Sequence, residues 1–154
     1  MSSRASDSLI WGLVRNNNSF LYKRGNVAAR SHSVQFSSEP GNLLSVNSFK
    51  YSGIANTKTI DIVANKQNRV FLNTKAPSKV TKPRKSVSAT PLRKDRQRSQ
   101  KVVKSRGANL FYRPDLTSAA VARYNRVLND VRVRTKAAKG LRARLGPRNN
   151  RYAA

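Results

Sequence analysis

Six carboxylates and a single histidine make up the ordinary acid–base repertoire of this 154-residue chain. Asp7, Glu39, Asp61, Asp95, Asp115 and Asp130 are widely separated, so no close pair suggests a general acid working beside a general base. Even Asp115 and Asp130, which fall on one predicted helix, stand fifteen residues apart. His32 lies between Ser31 and Ser33 in a polar stretch and reads as a solvated loop residue, with no neighbour to share a proton or a metal. The chain has no cysteine, which excludes thiolate zinc sites, thiol nucleophiles and disulfides together. None of its seven glycines has the spacing of a phosphate-cradling loop. These residues predict neither catalysis, nor a metal site, nor a cofactor.

Cation is what the chain has in quantity. It carries 32 Lys and Arg against six acids, a formal charge of +26. Self-repulsion on that scale opposes a compact state unless a polyanion is bound. Folded RNA offers dense phosphates, and each one neutralised releases a condensed counterion. A membrane surface is the other common polyanion, but the longest apolar stretch, Leu9 to Val14, is interrupted by Gly12 and is far too short to span a bilayer.

The expected phosphate contacts in the N-terminal half are Arg15, Lys23, Arg24, Lys50 and Lys58. Further along come Lys79, Lys82, Arg84 and Lys85, then Arg93, Lys94, Arg96, Arg98, Lys101, Lys104 and Arg106. Arg113, Arg123, Arg126, Arg134, Arg142 and Arg144 complete the set. Arginine dominates this second half, and its flat fork suits phosphates and base faces better than an ammonium does. Tyr51, Tyr112, Tyr124 and Tyr152 are interleaved with the cations and could stack on unpaired bases. For Tyr51 and Tyr124 ordinary packing is the favoured alternative; for Tyr112, beside Arg113, the two readings are balanced. Zinc-based, zipper-based and compact three-helix DNA readers all fit poorly.

These side chains need elements to carry them, and the pattern reads as α+β. Charge divides the chain near Ala76-Pro77: residues 1–77 hold 10 cations and 3 acids, net +7, and residues 78–154 hold 22 and 3, net +19. Residues 1–74 read as a small, mainly antiparallel β domain with an N-terminal helix. Leu9, Ile10, Leu13 and Val14 share one helical face, with Ser6 or Asp7 as cap. Ser19 to Lys23, Val34 to Phe36 and Asn47 to Tyr51 read as strands, with a turn at Glu39-Pro40-Gly41-Asn42. Thr59 to Ala64 and Arg69 to Asn73 alternate apolar and polar residues about the loop Asn65 to Asn68, the clearest hairpin in the chain.

Residues 75–91, with three prolines and little to bury, read as an extended basic linker. Residues 92–131 read as two RNA-facing helices. The first is expected to start at Thr90-Pro91, to end at Gly107 and to lack a burying face, so that RNA would order it. The second follows Asp115 with an apolar stripe of Leu116, Ala120, Tyr124, Val127, Leu128 and Val131. Residues 132–154 read as an irregular basic tail.

Several blocks also resemble a known family. Leu9-Ile10-Trp11, Val14-Arg15-Asn16-Asn17 and Ser19-Phe20-Leu21 are similar to the opening of the eukaryote-specific large-subunit ribosomal protein twenty-eight family. So are Phe36 to Leu43, Asn47 to Thr59, and Tyr112-Arg113-Pro114-Asp115-Leu116 with Ala119-Ala120. The resemblance implies a cytosolic large-subunit protein that binds large ribosomal RNA beside neighbouring ribosomal proteins, passes through the nucleolus during assembly, and has no enzymatic activity or cofactor. It also implies that the first helix is mature structure; the Ser- and Arg-rich residues 1–30 would otherwise fit an organellar transit peptide. A ribosome-assembly factor, a basic chromatin protein and a mitochondrial ribosomal protein are the competing readings.

Overall fold

The computed structural model describes residues 5–24, 34–79, 82–109 and 111–144. His32, Tyr152 and the end of the expected tail, residues 145–154, lie outside the described residues, as do the side chains of Arg84, Arg142 and Arg144.

The N-terminal helix α1 spans Asp7–Val14, and Ser6 caps it by accepting from the Leu9 amide. None of its residues is buried. It is held at its start and its middle: Asp7 Oδ2 accepts from both the amide and the hydroxyl of Thr57, and Trp11 meets Phe49 with ring centroids 6.0 Å apart. Strands β1 (Leu21–Arg24) and β2 (Val34–Ser37) pair antiparallel.

A second sheet holds β3 (Ile60–Ala64), β4 (Val70–Lys75) and β5 (Val87–Pro91), all antiparallel in the order β3-β4-β5. The β3–β4 hairpin is where the alternation placed it, with Ile60, Ile62, Val70 and Leu72 buried on one face. Asn68 takes a positive φ of 59° to close its loop. Asn47 to Tyr51 is a turn, not the expected strand; only Val46 bridges to β2, at Phe36.

The segment read as a linker corrects the sequence reading. After a 3-10 turn at Pro77–Lys79 and the one-turn helix α2 (Pro83–Ser86), it supplies the third strand of the sheet. Backbone pairing needs no apolar side chain, so Val-Ser-Ala-Thr-Pro adds to the edge of β4 without the hydrophobic alternation that would announce it.

Helix α3 then runs only from Arg96 to Lys104, because Thr90 and Pro91 belong to β5, and it leads into a π-type turn at Ser105–Asn109. It does have a burying face, made by Ser99 and Val103. A 3-10 turn at Pro114–Leu116 opens α4, which runs from Thr117 to Arg144, thirteen residues beyond the predicted end at Val131.

One hydrophobic cluster joins the two halves. Ile60, Ile62, Val70 and Leu72 from the sheet pack with Val103 of α3 and with Leu116, Ala120, Tyr124 and Val131 at or along α4. The stripe read from sequence is the face that docks, but it docks on this chain's own sheet. Leu43 and the β3–β4 hairpin therefore share a core with the C-terminal helices.

Candidate nucleic-acid interface

All six carboxylates are used within the chain. Glu39 is buried, accepting from Asn42 Nδ2 at 3.0 Å and from Ser52 Oγ at 3.1 Å. Asp61 accepts from the amides of Gly41 (3.2 Å) and Ile62 (2.8 Å). Burial pushes its pKa above the ordinary carboxylate value, against the pull of those amides and of Arg123. Asp7 holds Thr57, Asp115 pairs with Arg113, Asp130 with Arg134 at 2.5 Å, and Asp95 with Arg98 at 3.7 Å. Asp7, Glu39, Asp61 and Asp115 thus hold loops and helix starts, and the exposed charge is mostly cationic.

Among the described residues, a dense cationic face lies on α3 and its approach. Arg93, Lys94, Arg96, Arg98, Lys101, Lys104 and Arg106 are all exposed. Arg98, Lys101 and Lys104 recur every third residue, so they form one stripe along the helix. Two features fix that stripe in place. The Ser99 hydroxyl donates to the Lys94 carbonyl at 2.9 Å, and its small buried side chain lets the helix approach its neighbours closely. Arg96 Nε (3.1 Å) and Gln100 Nε2 (2.7 Å) both donate to Asn125 Oδ1, which ties α3 to α4. The exposed Arg98–Asp95 pair contributes little to stability and leaves the stripe cationic. On α4, Arg126 and Arg134 are exposed, the latter beside Asp130.

Three of the expected contact residues have architectural roles. Arg113 uses its fork on the protein: Nε and Nη2 donate to the Asp115 carboxylate at 2.9 Å, Nη1 to the Lys58 carbonyl and Nη2 to that of Lys50. This hydrogen-bonded partner holds the Asp115 carboxyl below its ordinary range. The Tyr112 hydroxyl accepts from the Thr59 amide at 3.1 Å and donates to the Lys75 carbonyl, and burial raises its pKa. Its ring carries the Lys58 ammonium 5.8 Å from the centroid, so both its hydroxyl and one ring face have partners within the chain. Arg123 points inward, where it lines a polar cavity with Glu39, Asn42 and Asp61. Its Nε is buried without a hydrogen-bond partner among the described residues.

The remaining residues of the expected set are dispersed. Lys79, Lys82 and Lys85 are exposed around α2. Arg15 and Arg24 are exposed near the first sheet, and Lys23 Nζ donates to the Asn16 carbonyl at 2.7 Å. Lys50 lies over the Tyr51 ring, and Tyr124 is core. Sequence reading missed a pair that only the strand register reveals: Tyr22 and Phe36 stand directly opposite each other on β1 and β2, both exposed. Their alternation with Leu21 and Lys23 was the available signal.

The family model described as the Ribosomal L28e protein family matches residues 9–129. The chain belongs to this family. Three relatives, each named large ribosomal subunit protein eL28, show how far the similarity extends. That of Dictyostelium discoideum is 34% identical over 134 residues, covering 86% of this chain and 94% of its own. That of Schizosaccharomyces pombe is 34% identical over 132 residues, covering 82% and 93%. That of Caenorhabditis elegans is 37% identical over 107 residues, covering 69% and 79%. Members of the Ribosomal L28e family are structural ribosomal proteins rather than enzymes. The matched span includes both sheets, α3 and the first half of α4, and with them most of the hydrophobic cluster.

Proposed function

We propose that this chain is a structural constituent of the cytosolic large ribosomal subunit, where it binds large-subunit rRNA and neighbouring ribosomal proteins. The relatives that span most of its length carry that subunit in their names. The contacts we assign are to phosphates, through Arg93, Lys94, Arg98, Lys101, Lys104, Arg106 and Arg126, with Lys79, Lys82 and Lys85 as a flank. The observation that carries this reading is the row Arg98, Lys101, Lys104: an exposed cationic stripe on a helix anchored in the core. A preformed stripe meets a phosphate backbone without first having to fold, so its charge goes into affinity and register.

The test is binding of large-subunit rRNA fragments across a salt series. The logarithm of affinity should fall with the logarithm of salt by about 0.7–0.9 per phosphate neutralised. Replacing Arg98, Lys101 and Lys104 with Ala should then flatten the slope by about 2–3 units while the fold is kept. An unchanged slope would remove the stripe from the interface. Sedimentation of cell extract addresses the competing readings: co-migration with translating large subunits supports a structural constituent, and enrichment in chromatin or only in precursor particles opposes it. Passage through the nucleolus during assembly belongs to the same proposal and should show as transient nucleolar signal from newly made, labelled protein.

A further inference from the structure

We infer that the β1–β2 hairpin is a stacking platform for unpaired RNA bases, with Tyr22 and Phe36 as its rings. This rests on the RNA-binding reading and adds to it a class of nucleotide, splayed and single-stranded. Tyr22 and Phe36 are register partners, so both side chains stand on the same face of the ribbon. They are 66% and 51% exposed, whereas Leu21 and Ser37, on the opposite face, turn inward. The ribbon beneath them is fixed. The Ser37 amide donates to the Ser45 carbonyl at 2.8 Å, the Ser38 amide to that of Phe20 at 2.9 Å, and Phe36 bridges to Val46.

Charge selects the occupant. Arg24 is exposed two residues beyond Tyr22, and so on the same face as the rings. Neither strand contains a carboxylate, and the nearest acid after β2 in the chain, Glu39, is buried against Asn42 and Ser52. Rings of this kind accept any base on their faces, while an adjacent guanidinium meets the phosphate or extends the stack. A docked protein surface would instead favour a charge-depleted centre. The tyrosines singled out in the sequence do not compete for this role where they are described: Tyr124 is core, the Tyr112 hydroxyl is bonded to backbone, and Tyr51 packs against the core with Lys50 over its ring.

The experiment uses the full chain and two fluorescein-labelled probes, a ten-nucleotide oligouridine and a ten-base-pair RNA duplex, read by anisotropy. Tyr22→Leu with Phe36→Leu keeps apolar area but removes the π faces. It should weaken oligouridine binding about fivefold or more and leave the duplex within twofold. Tyr22→Phe with Phe36→Tyr should bind both probes like the parent. Should the leucine variant misfold, ultraviolet cross-linking of oligouridine to the parent gives an independent reading, with uridine adducts expected on Tyr22 or Phe36. Undiminished oligouridine binding by a folded leucine variant overturns the platform. If that same variant also leaves the large subunit, the hairpin docks on protein instead. Adducts confined to other residues overturn the platform as well. A parent that binds neither probe overturns the RNA-binding reading itself, whereas duplex binding alone removes only the platform.

Discussion

Tyr124→Ala asks whether the C-terminal helices are part of the folded core or borrow their order from RNA. The Tyr124 ring is 1% exposed and belongs to the cluster that joins α4 to Ile60, Ile62 and Leu72 of the sheet. Truncating a large buried aromatic to alanine costs about 3–5 kcal/mol, the sum of lost transfer energy and an incompletely collapsed cavity. Domains of this size have only about 5–15 kcal/mol in total. At roughly 2–4 °C per kcal/mol, the melting temperature should fall by about 6–20 °C in the absence of any nucleic acid. The assay is thermal unfolding by circular dichroism together with amide hydrogen exchange, following Ile62 and Leu72 in the sheet and Val103 in α3. Protection should fall at all three, since one core serves both halves. The reasoning is refuted if Val103 exchanges at unfolded rates already in the free parent, or if the sheet amides keep their protection in the variant. The first result would mean that α3 and α4 acquire shape only against RNA, and the second that the sheet does not depend on the helices for its core.

Gly53→Ala should be among the most damaging small substitutions, because the new Cβ would sit 2.0 Å from the Pro40 carbonyl oxygen and 3.0 Å from the Gly41 Cα. Backbone meets backbone there, so we expect a loss of about 3 kcal/mol or more by chemical denaturation, whereas Gly12→Ala, with nothing within 4 Å, should strengthen α1 by about 0.5–1 kcal/mol. Asp61 gives a pH dependence of known sign. Its folded pKa is raised, so its contribution to stability is complete below the ordinary carboxylate value and is lost as pH rises through the raised one. Asp61→Asn should flatten that descent in denaturation curves taken across the window, even though the variant is less stable overall for losing an amide acceptor. Asp115 acts the other way at lower pH, because its lowered pKa gives stability that disappears as acid protonates it, so the comparison must be variant against parent. Arg113→Lys keeps the charge but cannot span Asp115 and the carbonyls of Lys50 and Lys58 together, so it should loosen both loops and cost about 1–3 kcal/mol by thermal unfolding.

How much the sequence revealed depended on whether a segment's reason for its shape lies in its own side chains. The β3–β4 hairpin was legible because Ile60, Ile62, Val70 and Leu72 alternate about a polar loop, and α1 because Ser6 and Asp7 mark its start. The α4 stripe was legible for the same reason. Strand β5 was not, since its place is set by backbone bonds to β4 and its side chains are short and largely exposed. Helix α3 concealed its buried face in two residues, Ser99 and Val103, beneath a row of like charges. The far end of α4 was misjudged because cations were weighed as a tail, although Arg, Lys, Ala and Leu are all strong helix formers. At the candidate site, counting cations found the exposed stripe. It could not separate Arg113 and Arg123, which serve the fold, from Arg98 and Arg126, which face solvent. Sequence distance hides those partners: Arg113 bonds to carbonyls 55 and 63 residues away.

That division of labour explains how a chain of +26 can hold a core at all. Repulsion is greatest where cations crowd together, and here the crowding is on outward faces whose fields are screened by water and salt. Inside, each buried carboxylate is placed against amides, hydroxyls or an arginine, so that negative charge falls where loops cross and need holding. Binding RNA would then remove the outward repulsion without rearranging the interior. It follows that stability and affinity are set by different residues and can be changed separately. Moderate salt should stabilise the free protein while weakening its hold on RNA, and a single titration followed by both melting and binding would show the two trends opposed.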